Sequence, residues 1–414
     1  MARVLVTYGW CRTSYLIARS LAARGHQVYA CSSRRPAAAS WSRFTRGGAV
    51  VRDPFEEPKA FVENVAALVR RWRIDAIFPG HEDAIPLQRL AGRLPAGVTI
   101  VSPPGPALVR AVDKGEMTRR AIEAGLTVPF TAFPDSVEAV EAEAERIGYP
   151  VVLKLRRSNG GKGVLVAEDR YDVRAAFDGP WAGLVDQPGQ EPIVQRFVPG
   201  AVVGACFLAV EGTPIAVYGE RYLRTKDVGF GTSTYRSPEP SAALREATTK
   251  LIQALGWTGI GHMDFLEETG TGQLHFLELN PRPWGAIHLA YVNGFDFPAA
   301  AVAQALGEED LERYFPRDQN HGALHSLWLV GEGIRLASQL ASQRGRTHAR
   351  PHHPTQQGHV AWRVTRPDGF LWHDPGAFLA ECACYLGMYV RTRGDVNPHT
   401  DGMLRQLDQP TRTS

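Results

Sequence analysis

The sequence predicts a chain of α/β and α+β character in three stretches: an N-terminal parallel sheet, an antiparallel-rich middle with two lobes, and a C-terminal extension. Three observations carry this. Apolar strands and amphipathic helices alternate through the first hundred residues, which is the pattern of parallel βαβ units. From about residue 190 several strands follow one another with a single amphipathic helix among them, as an antiparallel sheet requires. Pro103-Pro104-Gly105-Pro106 punctuates the two regimes. At 414 residues the chain has room for two or three units with shared cores.

The elements read in order as follows. RVLVTY (3–8) is a short strand, SYLIARSLAARG (14–25) an amphipathic helix ending at a glycine, and HQVYACSS (26–33) a second strand. A helix over 58–72 precedes strand IDAIFPG (74–80), and a helix over 83–92 precedes strand VTIVS (98–102). This unit is assigned 1–105. A helical region follows at 107–124, then VPFTAF (128–133), a helix over 135–147, and strands YPVVLKL (149–155), VLVAED (164–169) and PIVQRFV (192–198). GACFLAVEG (204–212) and TPIAVYGERYL (213–223) are strands, ALREATTKLIQALG (243–256) is a helix, and GIGHMDFLEE with GQLHFLELN forms a hairpin turning at 269–272. The middle unit is assigned 106–312, with a small lobe over about 128–196 and a large lobe over about 197–312. The extension, 313–414, contains a Gln/Arg/His/Pro-rich stretch (342–358) that reads as a solvated loop, histidines 348, 352 and 353 included. AWRVTRPDGFLWHDPGAFLAECACYLG (361–387) is apolar enough to dock on the core.

Composition narrows the function classes. A net charge of +3 is too small to argue for nucleic acid or an anionic membrane. Five scattered cysteines suggest no disulfide framework, and the interrupted apolar run at the N-terminus has neither signal-peptide nor spanning character, so a cytoplasmic location is expected. Of the 46 basic residues only six are lysines (59, 114, 154, 162, 226, 250). A chain so rich in arginine keeps lysine by chance or where a compact ammonium is needed.

Chemistry concentrates in a few places. In FLELNPRPWG (276–285), Glu278 and Asn280 share one strand face, and in even register Asp264 of the partner strand joins them. Grouped Asp, Glu and Asn oxygens suit a hard cation such as Mg²⁺, with Arg282 beyond the strand end able to reach a phosphate; a salt-bridged hairpin is the alternative. Lys154 sits mid-strand among Val and Leu, where an ammonium needs a partner or an anion. Ser158-Asn159-Gly160-Gly161-Lys162-Gly163 follows, a glycine loop whose N–H groups are able to cradle phosphate or merely turn a hairpin. Lys114 in VDKGEM and the strand IVQRFVPG are unremarkable alone.

In this order the pieces resemble the ATP-grasp superfamily, in particular its carbamoyl-phosphate-synthase-like, carboxylate–amine ligase members, over about residues 1–310. The resemblance implies a pre-ATP-grasp domain followed by the two-lobed ATP-grasp fold. It implies that Lys114 and Lys154 hold ATP phosphates, that the loop with Ser158, Gly160, Gly161 and Lys162 closes over them, and that Gln195, Arg196, Phe197 and Val198 form the adenine hinge. It further implies Mg²⁺, or Mn²⁺, on Asp264, Glu278 and Asn280, with Arg282 stabilising the transferred phosphoryl group. Arg221 and Arg224 would face the acceptor, with Gly229–Gly231, Ser233 and Thr234 beside them. Two departures stand out. Relatives place an acid for the ribose after the hinge, where this chain reads Pro199-Gly200-Ala201-Val202-Val203-Gly204. The first turn, Gly9-Trp10-Cys11-Arg12-Thr13-Ser14, is not glycine-rich, which suggests that it, with Arg12 and Glu82, meets the acceptor or serves local structure.

The expected activity is an ADP-forming ligase that activates a carboxylate as an acyl phosphate and joins it to an amine, with amino acids or small acids as the expected substrates. Phosphotransfer to a small molecule, or nucleotide binding without catalysis, are the alternatives. The expected partners are small molecules and a second copy of the chain, with neither nucleic acid nor membrane.

Overall fold

The computed structural model describes residues 1–158, 163–179, 181–182, 191–226, 232–318, 321–343 and 359–391. Its first sheet is parallel and five-stranded, built from β1 (Arg3–Val6), β2 (Gln27–Ser32), β3 (Thr45–Val50), β4 (Ala76–Phe78) and β5 (Thr99–Ile100) in the order β3-β2-β1-β4-β5. Val4, Leu5 and Val6 are all fully buried because helices cover both faces. β3 was not expected. TRGGAV has no apolar alternation, and its residues are half-buried or exposed in turn, since an edge strand is held by backbone pairing to β2 alone.

The second sheet, β6 (Thr131–Ala132), β7 (Val151–Leu155), β8 (Val164–Ala167) and β9 (Pro192–Arg196), is antiparallel in the order β6-β9-β7-β8. Val151, Leu153 and Leu155 pack with Val140, Ala144, Val173 and Phe177 of the two helices behind it. Strand alternation therefore turns Val152 and Lys154 to the open face.

The third sheet has seven strands: β10 (Gly200–Val210), β11 (Thr213–Thr225), β12 (Ser233–Pro238), β13 (Gly259–Glu268), β14 (Leu274–Asn280), β15 (His325–Leu327) and β16 (Thr365–Pro367). Their order is β14-β13-β10-β11-β12-β15-β16, antiparallel except for the last pair. The hairpin β13–β14 pairs Asp264 with Glu278 and His262 with Asn280, and a bulge follows Asp264. One face packs on the helix Ala242–Leu255, whose Ser241 side chain caps the first turn.

The other face joins the N-terminal unit in a common core. Tyr15 and Ile17 of the helix Arg12–Ala23 share it with Leu208, Tyr218, Phe295 and Phe297. β12, β15 and β16 were not foreseen. β12 reads STYRSP, with a central arginine whose burial depends on partners far along the chain, and the extension supplies the other two strands. Among the described residues no helix is long and apolar enough to cross a membrane.

Candidate active site

Between the second and third sheets lies a cavity of about 230 Å³. Val152, Lys154 and Val164 form one wall, and Tyr222, His262, Asp264, Glu278 and Asn280 the other. Gln195 to Val198, running from β9 towards β10, line its side, and Leu266 and Leu277 give it an apolar floor. Gln195 is fixed by a hydrogen bond from Nε2 to Thr131 Oγ1 at 3.0 Å, and the Arg196 N–H donates to the Phe130 carbonyl at 2.8 Å.

Glu278 is the centre of the polar cluster. Lys114 Nζ lies 3.3 Å from its Oε2, and Asn280 Nδ2 donates to its Oε1 at 3.4 Å and to Asp264 Oδ2 at 3.2 Å. The Tyr222 hydroxyl donates to Asp264 Oδ1 at 3.0 Å. Lys114 is held by its neighbour. Asp113 caps the helix Lys114–Glu123, accepting the Glu116 N–H at 3.0 Å, and takes two bonds from Arg156 at 3.0 and 2.8 Å, tying that helix to the end of β7. Lys114 Nζ also donates to the Ser158 carbonyl. Arg282 is aimed by Glu82 of the N-terminal unit, 2.6 Å from its Nε to Oε1, while its Nη2 donates to Asn280 Oδ1 at 3.2 Å.

Burial sets the charges. Lys154, 8% exposed, is lowered to about 8 chiefly by desolvation; Glu278 pulls it back up and Lys114 pushes it further down. Asp264 is raised to about 6, again by burial first, with His262 opposing and Glu278 adding to the rise. For Glu278, burial would raise its pKa, but Lys114 and Lys154 hold the carboxyl below its ordinary value. Behind Asp264, His262 Nε2 lies 3.1 Å from Glu220 Oε1. Burial alone would lower the imidazole, yet Asp264 and Glu220 leave it above its usual value. Gly204 makes this packing possible, since a Cβ there would lie 2.6 Å from His262 Nε2.

The structure thus brings Lys114, Lys154, Ser158, Gln195, Arg196, Phe197, Val198, Asp264, Glu278, Asn280 and Arg282 to one cavity. Asn280 presents its nitrogen, not its oxygen, to the two acids. Gly160, Gly161 and Lys162, the segment 229–231 and the histidines 348, 352 and 353 lie outside the described residues. Two of the expected residues have partners elsewhere. Arg221 does not face the cavity: Tyr222 does, so alternation turns Arg221 to the opposite face, where Glu239 and Glu267 hold it at 2.6 and 2.8 Å. Arg224 is drawn instead to Glu332 of the extension at 2.9 Å and lies over the Tyr235 ring. Glu82 and Arg12, expected near an acceptor, are buried, the first on Arg282 and the second against Asp368. Sequence reasoning missed Tyr222, His262 and Glu220. His262 was legible two residues before Asp264 on the same strand face, whereas choosing Tyr222 over Arg221 needs the register.

With this geometry in place, the comparisons are informative. A family model described as "ATP-grasp in the biosynthetic pathway with Ter operon" matches residues 212–324, and the "Carbamoyl-phosphate synthase L chain, ATP binding domain" model matches 113–182. The chain is an ATP-grasp protein. Among curated proteins it is 25% identical over 323 residues to acetyl-CoA carboxylase 2 of Oryza sativa subsp. japonica, covering 65% of this chain and 13% of that one. It is 30% identical over 268 residues to the carbamoyl phosphate synthase large chain of Rubrobacter xylanophilus, covering 59% and 24%. The ATP-grasp chain thus spans no more than a quarter of either relative's length.

Solved structures share the ATP-grasp fold. The biotin carboxylase domain dimer of Hydrogenobacter thermophilus 2-oxoglutarate carboxylase, in complex with MgADP, ADP and bicarbonate, aligns with TM-score 0.62 at 18% identity over 75% of this chain and 70% of that one. The N5-carboxyaminoimidazole synthetase of Staphylococcus aureus complexed with ADP aligns with TM-score 0.57 at 15% identity over 74% and 78%.

Proposed function

We propose that this chain is an ATP- and Mg²⁺-dependent ligase that activates a carboxylate as an acyl phosphate and couples it to an amine, releasing ADP and phosphate. The observation that carries the reading is the cluster itself: two lysines and an arginine gathered with two half-buried carboxylates in one cavity between two sheets. The nucleotides and bicarbonate bound by the solved biotin carboxylase domain support it.

In this reading Lys114 and Lys154 bind phosphate oxygens, the loop with Ser158, Gly160, Gly161 and Lys162 covers them, and Gln195 to Val198 border the base. Asp264 and Glu278 are the cation ligands. Their four hard oxygens fit Mg²⁺, and the amide that now bridges them would have to turn for Asn280 to offer its own oxygen. Bound Mg²⁺ would neutralise charge on the phosphoryl group in transfer. Arg282, oriented by Glu82, is positioned to stabilise charge developing at the acyl phosphate without reorganising. No side chain needs to become a covalent nucleophile; the chain contributes positioning and fixed charge.

The units 1–105, 106–312 and 313–414 serve this site together, the extension completing the large lobe's sheet. A homodimer belongs to the proposal, supported by the dimeric biotin carboxylase domain, and light scattering against the 45.4 kDa chain mass tests it. Glu278→Gln and Arg282→Ala, checked for folding by circular dichroism, are expected to abolish substrate-dependent ATP consumption. Wild-type turnover in either would overturn the assignment.

A further inference from the structure

Beneath the cavity wall lies a group of side chains that the proposed chemistry leaves unused. Cys206 on β10, Glu220 on β11 and His262 on β13 are 0%, 0% and 2% exposed. The ladders bring them together. Cys206 pairs with His262 across β10 and β13, and Glu220 stands opposite Gly204, two residues before Cys206 and so on the same face. One atom of each that can ligate a metal lies within 4.8 Å of the other two, and among the described residues this is the only such group of three or more His, Cys, Asp and Glu.

The pairing of Glu220 with His262 accounts for only half of their polar atoms. Glu220 Oε1 lies 3.1 Å from His262 Nε2, but Glu220 Oε2 and His262 Nδ1 are buried with no hydrogen-bond partner among the described residues. A buried carboxylate oxygen left so is costly, and marks a place where a partner is to be sought. The spacing suits a metal ion as that partner. Two ligands of a tetrahedral zinc, each bonded at about 2.0–2.1 Å, stand about 3.3 Å apart, close to the separation of Oε1 and Nε2. Gly204 keeps room beside both atoms: a Cβ there would lie 2.6 Å from His262 Nε2 and 3.2 Å from Glu220 Oε1. His262 itself lines the cavity, which gives a cation an approach from that side.

We propose that Cys206, Glu220 and His262 bind a zinc ion, in a site separate from the Mg²⁺ site of the nucleotide. A sulfur, an imidazole and a single carboxylate select zinc over magnesium, which takes oxygen ligands. Three protein ligands leave the fourth tetrahedral position to water. On binding, the Cys206 thiol gives its proton to solvent and the sulfur bonds the metal as thiolate, with no change of oxidation state. Thiolate and carboxylate then balance the dication around a neutral imidazole, an uncharged group of the kind that tolerates burial. His262 Nδ1 lies 3.8 Å from Asp264 Oδ2, so the ion braces the ring that stands behind Asp264. None of this depends on the ligase reading.

The test uses the full chain, freed of metal by chelator, with Mg²⁺ in excess to fill the oxygen site and Co²⁺ as the probe for zinc. Stoichiometric Co²⁺ is expected to produce the intense near-ultraviolet absorption of a cobalt–thiolate bond together with the visible bands of tetrahedral cobalt, and added Zn²⁺ to erase both. Cys206→Ala, checked for folding by thermal melting, should lack the thiolate absorption although the other four cysteines remain; Cys206→Ser gives the same readout if alanine unsettles the core. Glu220→Gln should weaken Co²⁺ binding by more than roughly 10-fold, since loss of even an outer partner of a metal ligand costs that much. Wild-type protein without thiolate absorption at stoichiometric Co²⁺, or absorption that persists in the Cys206 variants, overturns the site. Neither reading involves ATP turnover, so failure here and failure of the ligase reading are told apart.

Discussion

Replacing Lys154 by methionine is expected to stabilise the fold and cripple the site. Lys154 is 8% exposed on the open face of β7, and burial lowers it from 10.5 to about 8. At about 1.36 kcal/mol per unit, that depression corresponds to a penalty of about 3 kcal/mol for keeping the ammonium in the folded chain. The sign follows from proton binding. Below about pH 8 folded and unfolded chains both carry the proton and the penalty is complete. Between about 8 and 10.5 only the unfolded chain holds it, so stability rises with pH, and above that range the penalty is gone. Methionine fills similar space without charge, though it leaves Glu278 with Lys114 as its close lysine, which offsets part of the gain. A net gain of about 1–2 kcal/mol at pH 7, vanishing near pH 10.5, is expected in urea unfolding followed by tryptophan fluorescence. ADP binding, measured with Mg²⁺ by calorimetry, should weaken about 10- to 100-fold through the lost charge-assisted contact. A variant less stable than wild type that still binds ADP normally would mean that Lys154 is a structural ion-pair partner, and the reasoning fails.

Further outcomes follow from the same geometry. Mg²⁺-dependent ADP binding should strengthen as pH rises through about 6, because burial raises Asp264 to that value and its carboxylate is the ligand form; a flat profile between about pH 5 and 7 argues against Asp264 as ligand. Tyr222→Phe removes the hydroxyl that donates to Asp264 at 3.0 Å and should shift that midpoint upward by about one pH unit, read in the same titration. Arg221→Ala should leave turnover unchanged and cost no more than about 1 kcal/mol in urea unfolding, since its two carboxylate partners lie on the sheet's other face and are partly solvated.

Much of the site was legible because strand periodicity is strict. Glu278 and Asn280 had to share a face, and the short turn of the hairpin delivered Asp264 opposite Glu278. Lys154 stood out as an ammonium in an apolar strand, and its environment is indeed the cavity wall. The order of weak motifs conveyed the fold. Arg221 turns away from the cavity for the same physical reason that Glu278 and Asn280 share it: one residue of register exchanges the faces, and nothing local distinguishes Arg221 from Tyr222. Arg224 was lost to long-range chemistry, its partner Glu332 lying 108 residues away. β12 and β15 were hidden likewise. Their polar residues Arg236 and Ser326 belong to a buried network on Asp368 that only the assembled sheet completes.

The measurement that bears most directly on the central claim is a ³¹P NMR spectrum of ATP and Mg²⁺ with the protein and a pooled set of amino acids and small carboxylic acids. The ligase account requires ADP and inorganic phosphate in equal amounts, formed only with the pool present and absent in Glu278→Gln. A new phosphoester or phosphoramidate resonance would contradict it in favour of phosphotransfer, and ATP left unchanged by every pool would contradict catalysis itself.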